Sequence, residues 1–178
     1  MSQLCVMFSH GMDASPWGTK IAALAETARG EGAVVDSVDY GDVNDVRQRN
    51  TMLMSACQAL RGDLVLVGSS LGAYSALVCA RALHAFGVFV MAPALYVEGL
   101  PPLPAKVCDC PVTIVHGLHD EVVPAEHSMR FAREQGAALH VVKSDHRMHD
   151  QVPFLKYLFE YFLVELDMPR MRHSKPLG

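Results

Sequence analysis

Short apolar runs alternate with longer stretches of helical periodicity along nearly the whole chain. Residues 4–8 are a short apolar run ending in Ser9-His10-Gly11, which predicts a strand followed by a turn. Residues 19–29 read as a helix, and the Val-rich segment 33–39 as a second strand. Over 43–60, apolar or small side chains at Val43, Val46, Leu53, Cys57 and Leu60 form a helical stripe, interrupted by Asn50. Residues 64–68 (Leu-Val-Leu-Val-Gly) are continuously apolar, as a strand buried on both faces must be. Residues 71–85 are apolar nearly all round, which predicts a buried helix. A strand over 87–91 precedes the segment 92–110, whose four prolines make it a loop. Strands over 112–115 and 139–142 flank a helix over 125–135. An amphipathic helix over 153–166 closes the pattern, with Pro153 suited to its first turn. Strands alternating with helices predict an α/β protein, a parallel sheet covered on both faces, in one domain over 1–178.

Composition narrows the classes. Of 178 residues 51% are apolar and 19% charged, which excludes a disordered chain, a coiled coil and a collagen-like repeat. A net charge of -4 argues against a dedicated nucleic-acid binder. Only the tail 170–175 is locally basic, and it reads as a frayed end. The five cysteines, at 5, 57, 79, 108 and 110, contain no C-x-x-C. Cys108 and Cys110 lack a second pair to complete a zinc site, so no metal is expected. The free-thiol pattern suits a reducing compartment. No signal peptide and no membrane-spanning run stand out, so a soluble cytoplasmic protein is expected. Nothing in these patterns sets an oligomeric state.

The sharpest local signal is Gly68-Ser69-Ser70-Leu71-Gly72, a G-x-S-x-G directly after an apolar strand and directly before a helix. A tight strand-to-helix turn thrusts the central hydroxyl out at the sheet edge and leaves room only for small residues two positions either side. Gly68 and Gly72 supply that room. The helix that follows aims its N-terminal N–H groups at the same point. The competing reading, a phosphate-binding loop, lacks both G-x-G-x-x-G and a following Lys.

On this motif and the strand-helix order, the chain resembles the α/β-hydrolases, specifically the small lidless bacterial serine esterases, over residues 4–166. The resemblance implies a minimal six-stranded parallel sheet of order 2-1-3-4-5-6 without a cap domain. Ligands would then bind at the switch point beside Ser70. It also implies the chain order Ser, acid, His. The string His116-Gly117-Leu118-His119-Asp120-Glu121-Val122-Val123-Pro124 is similar to the family's acid loop, which makes Asp120 the acid and His116 structural. In Asp145-His146-Arg147-Met148-His149 two imidazoles qualify as base, and similarity to small bacterial relatives favours His146 over His149. The family's oxyanion hole would be formed by the backbone N–H groups of Leu71 and Met12.

With only the 19 residues of 92–110 where many relatives carry a lid, the site is expected to be open and to favour short acyl esters. Its walls would be Asp13, Trp17, Met91, Tyr96 and Val122. No cofactor is implied. A thioesterase or protein deacylase would use the same triad, and an idle scaffold serving as an interaction module would share the fold. A metal site built on His10, His116, His119, Asp120 and His146 matches no ligand spacing.

Overall fold

The computed structural model describes residues 2–12 and 14–173. Six strands, β1 (Leu4–Ser9), β2 (Val34–Val38), β3 (Asp63–Ser69), β4 (Gly87–Met91), β5 (Val112–Gly117) and β6 (Ala138–Val142), pair entirely in parallel. Their order is β2-β1-β3-β4-β5-β6. Among the described residues five α-helices connect or flank them: α1 (Thr19–Gly30), α2 (Val46–Cys57), α3 (Leu71–Cys79), α4 (Ala125–Gln135) and α5 (Val152–His173). The order reverses between β1 and β3, so their two carboxyl ends diverge around one crevice.

Alternate strand residues feed two apolar layers. Val6, Phe8, Val65, Val67, Phe89, Met91 and Val115 pack with Ile21 and Leu24 of α1 and Leu155, Phe159 and Phe162 of α5. Met7, Leu66, Val88, Val90 and Ile114 point the other way, onto Leu53 of α2, Leu77 of α3 and Phe131 of α4. Strands β4 and β5 are buried throughout, whereas the edge strands β2 and β6 alternate or stay half-exposed. Cys57, Cys79 and Cys108 belong to the second layer, as small apolar side chains.

Element ends differ from the sequence expectation where capping overrides periodicity. Helix α2 starts at Val46, not at residue 43, because the Asp45 carboxylate accepts the Gln48 N–H at 2.8 Å. Val43 belongs to the turn before it, donating its N–H to the Tyr40 carbonyl at 3.0 Å. Helix α3 stops at Cys79, and the chain leaves through a turn closed by Ala85 N–H on the Ala80 carbonyl at 2.9 Å. Helix α5 continues past residue 166 to His173, so the first four residues of the basic tail are helical, and 174–175 lie outside the described residues. Segment 92–111 contains only turns and bends, and forms no helical cap. Among the described residues no helix is long and apolar enough to cross a membrane.

Candidate active site

Ser70 sits between β3 and α3 with φ 54° and ψ -120°, a strained conformation for a residue with a side chain. The surroundings over-determine it. Its N–H donates to the Met91 carbonyl at 3.0 Å, and its carbonyl accepts from Ala73, Tyr74 and Ala94 at 3.1 to 3.2 Å. The flanking glycines are required by close approach. A Cβ on Gly68 would come within 2.7 Å of Ala73 N, and one on Gly72 within 2.5 Å of the His10 carbonyl oxygen. Gly11 presses on the other side, where a Cβ would lie 3.2 Å from that of Ser70.

The structure brings three sequence-distant side chains into line. Ser70 Oγ lies 3.0 Å from His146 Nε2, and His146 Nδ1 lies 2.7 Å from Asp120 Oδ2. His149 is exposed, on the short 3₁₀ turn His149–Gln151, and bonds neither Ser70 nor Asp120. The imidazole of His146 is carried by a tightly tied loop. Asp145 Oδ1 accepts the Arg147 and Met148 N–H groups, both at 2.9 Å. Met148, with φ 50°, buries its side chain completely in the α1–α5 layer. His119 N–H ties the Ser144 carbonyl at 2.9 Å, and Gly117 packs against the carbonyls of Ser144 and Asp145 with no room for a Cβ.

Asp120 is a buried carboxylate with a full set of donors. Oδ1 accepts the Val122 and Val123 N–H groups at 2.9 and 2.8 Å. Oδ2 faces His146 and also lies 3.1 Å from His116 Nε2. Burial pushes the carboxyl pKa up, but the Val123 N–H, the His146 ring and the Val122 N–H outweigh it and hold it below the usual value. His116, fully buried, shares its Nε2 with the Val123 carbonyl at 2.9 Å, and its Nδ1 meets Ser128 Oγ at 2.7 Å. With only acceptors around Nε2, that nitrogen carries the proton, and Nδ1 accepts from the serine. Burial lowers the pKa of this ring, so it stays neutral. His116 is therefore a second donor to the carboxylate, a role its sequence position did not reveal.

The loop after β1, whose Gly11 packs against Ser70, carries the exposed Met12. Among the described residues, no acceptor takes the N–H of Met12 or of Leu71, the first residue of α3. The Leu71 N–H lies at a helix N-terminus next to Ser70, and Met12 follows Gly11, which packs against Ser70; free N–H groups of this kind suit developing negative charge. Lys20, half-buried near the start of α1, is lowered by burial to about 8, against the pull of Asp145 and Asp120.

The five residues expected as walls stand in different surroundings. Asp13 lies outside the described residues. Val122 is exposed beside Asp120. Met91 is fully buried in the α1–α5 layer because β4 alternation turns it inward, so it lines no open surface and contributes its carbonyl to Ser70 instead. Tyr96 packs onto α4, donating its hydroxyl to Glu134 at 2.6 Å with Arg130 4.0 Å above the ring. Trp17 has Arg29, from the last turn of α1, over its ring at 5.4 Å, which lays the indole back along that helix. Of the five histidine and aspartate positions considered for a metal, His10 and His116 are spent on internal hydrogen bonds. Among the described residues no cluster of three metal-ligating side chains forms.

Comparison with known proteins agrees with this architecture. A protein of the alpha/beta hydrolase superfamily from Xanthomonas campestris pv. campestris superposes with a TM-score of 0.83 at 30% identity, over 92% of this chain and 99% of that one. An α/β serine hydrolase without a lid, also from Xanthomonas campestris, gives 0.75 at 19% identity, over 90% and 81% of the two chains. An esterase from Pyrococcus furiosus gives 0.78 at 15% identity, over 94% and 83%. A search of curated proteins finds no match. The model of the Uncharacterised protein family (UPF0227) matches residues 5–100, more than half of the chain. The chain thus belongs to UPF0227, within the alpha/beta hydrolase superfamily.

Proposed function

We propose that the protein is a serine hydrolase that cleaves short acyl esters through an acyl-enzyme intermediate. The observation that carries this reading is the unbroken line of contacts from Ser70 Oγ through both nitrogens of His146 to Asp120. A serine hydroxyl is a weak nucleophile at neutral pH and needs a base held in the right tautomer. The Asp120 carboxylate accepts the Nδ1 proton, which leaves Nε2 as the lone-pair nitrogen facing Ser70. As Oγ attacks the ester carbonyl, His146 takes its proton, and the imidazolium is stabilised by Asp120. The carbonyl oxygen, now negative, sits between the Met12 and Leu71 N–H groups. His146 then returns the proton to the leaving alcohol. Water enters, loses a proton to His146, and releases the acid and Ser70.

Each donor of an oxyanion hole is worth ~3 kcal/mol in the transition state. The absence of a helical cap over 92–111 and the exposure of Met12 and Val122 favour short or protruding acyl groups. The esterases among its structural neighbours are consistent with an ester substrate. Hydrolysis of p-nitrophenyl acetate and butyrate, with a fluorophosphonate probe as a label, tests the reading. Turnover and labelling are expected in the parent protein, and both should vanish in Ser70→Ala. A parent protein that neither turns over nor takes the label contradicts it.

A further inference from the structure

Beneath the loop that carries Met12 lies a charged side chain the proposed mechanism does not use. Arg49, on α2, is 1% exposed, and no carboxylate pairs with it among the described residues. Its charge is met instead by carbonyl dipoles and a ring face. One guanidinium nitrogen, Nη1, donates to the Val43 carbonyl at 3.0 Å. The other, Nη2, donates to the carbonyls of His10 and, at 3.4 Å, Gly11. The guanidinium carbon lies 3.8 Å from the centre of the Tyr40 ring, and Nε has no hydrogen-bond partner among the described residues. Desolvating a guanidinium for this partner set is costly, so packing alone is a poor reason for it.

We propose that Arg49 is a positioning residue for the oxyanion hole: by holding the His10 and Gly11 carbonyls inward, it turns the Met12 N–H outward toward Ser70. The inference rests on the serine-hydrolase reading above and adds to it the device that sets one donor. Stereochemistry links the two atoms. In a trans peptide the C=O of one residue and the N–H of the next point in opposite directions. Gly11 O and Met12 N–H belong to one such plane, so a cation drawing the oxygen into the interior directs the hydrogen out. Gly11 rests against Ser70, with the built Cβ 3.8 Å from Ser70 Oγ, so this peptide is next to the reacting hydroxyl.

The rest of the buried cluster supports the same loop. The Tyr40 N–H donates to His10 Nε2 at 3.3 Å, which leaves His10 Nδ1–H to donate to the Gly11 carbonyl at 2.8 Å. The Gly11 oxygen thus receives two donors from below. Tyr40 is fixed in turn by its hydroxyl, 2.7 Å from Ser9 Oγ. A cation behind the peptide also polarises it, which makes the outward N–H a stronger donor.

The test uses the full chain and compares the parent protein with Arg49→Met and Arg49→Lys. Each is measured for kcat and KM with p-nitrophenyl acetate, for inhibition by an alkyl trifluoromethyl ketone, whose adduct with Ser70 bears the oxyanion, and for Tm. Arg49→Met is expected to lower kcat about 100-fold, the scale of a misplaced or lost oxyanion donor, with KM within about threefold. Affinity for the ketone should fall in parallel with kcat/KM, and Arg49→Lys should recover part of both. A general loss of packing would lower Tm without that parallel. A folded Arg49→Met with kcat within about threefold of the parent, or a kcat loss with unchanged ketone affinity, overturns the proposal. If Arg49→Met does not fold, Arg49→Lys decides by the same two readouts. A parent protein with no turnover and no fluorophosphonate label refutes the hydrolase reading, whereas an active parent matched by both variants refutes this inference alone.

Discussion

The two flanks of Ser70 are built around opposite buried charges. On one flank the anion Asp120 gathers N–H donors: Val122, Val123, His146 and His116. On the other the cation Arg49 gathers carbonyl acceptors: Val43, His10 and Gly11. The difference lies in what each partner set can do. The ring of His146 can gain a proton and change charge during a reaction, so the Asp120 flank is suited to moving a proton. The carbonyls that Arg49 holds are peptide groups that do not titrate, so that flank is suited to holding a fixed dipole. Division of labour between a titrating side and a preorganised side is what acyl transfer at a serine demands.

The comparison breaks most completely at its shared centre. His146→Ala should lower kcat by about 10^4-fold or more, while His149→Ala stays within about twofold. Steady-state kinetics of the two variants checks this, and equal effects would remove the distinction between the two imidazoles. Next in size is the anionic flank itself. Asp120→Asn keeps the shape but presents an amide to His146, favouring the wrong tautomer, and should cost about 10^3- to 10^4-fold in kcat. The same variant carries a stability signature. Because the folded pKa of Asp120 is held below the ordinary value of 3.8, its contribution is complete at neutral pH and disappears as pH falls through the folded value. Acid unfolding of Asp120→Asn, followed by circular dichroism, should therefore be shallower than that of the parent below about pH 4.

How much of this was legible follows from the range over which each feature is encoded. The elbow could be read because Gly68, Ser70 and Gly72 lie within five residues and each glycine answers a close contact. The sheet order came from the family resemblance, and the structure has it. The choice between His146 and His149 could be favoured but not settled by resemblance, since both share one loop and only the fold turns His146 to the serine. Met91 and Tyr96 turn away from the serine for a common reason. Proximity in sequence to a strand end says nothing of sidedness, and alternation sends Met91 into the α1–α5 layer while the Tyr96 ring turns to α4. Arg49 carries a signal of its own in the sequence. Val46, Arg49, Leu53 and Cys57 are the buried face of α2, so a cation stands on the apolar stripe itself. The polar run Arg47-Gln48-Arg49-Asn50 disguised it as an ordinary solvated stretch.

Smaller perturbations sharpen the contrast between the flanks. Gly72→Ala places a methyl against the carbonyls of Ser9 and His10, at the root of the Met12 loop, and should cost ~1–3 kcal/mol of stability by overpacking. Denaturant titration measures that cost, and kcat should fall as well, because the displaced loop carries Met12. A further effect, on stability alone, concerns Lys20. Its amine titrates near 8 in the fold against 10.5 for an ordinary lysine, so between those values the folded chain binds fewer protons than the unfolded chain. Stability should rise with pH across that window, and Lys20→Met should flatten the rise. Urea midpoints at several pH values across the window test this, and identical slopes would remove the buried charge from the account.

In the proposed reaction Ser70 itself becomes acylated. Rapid quenching of a reaction with p-nitrophenyl acetate, followed by peptide mapping, reads it directly. An acetyl group on the peptide containing Ser70, formed and lost at rates that match turnover and absent in Ser70→Ala, is the result this account predicts. Turnover with Ser70 unmodified, or undiminished in Ser70→Ala, would contradict it.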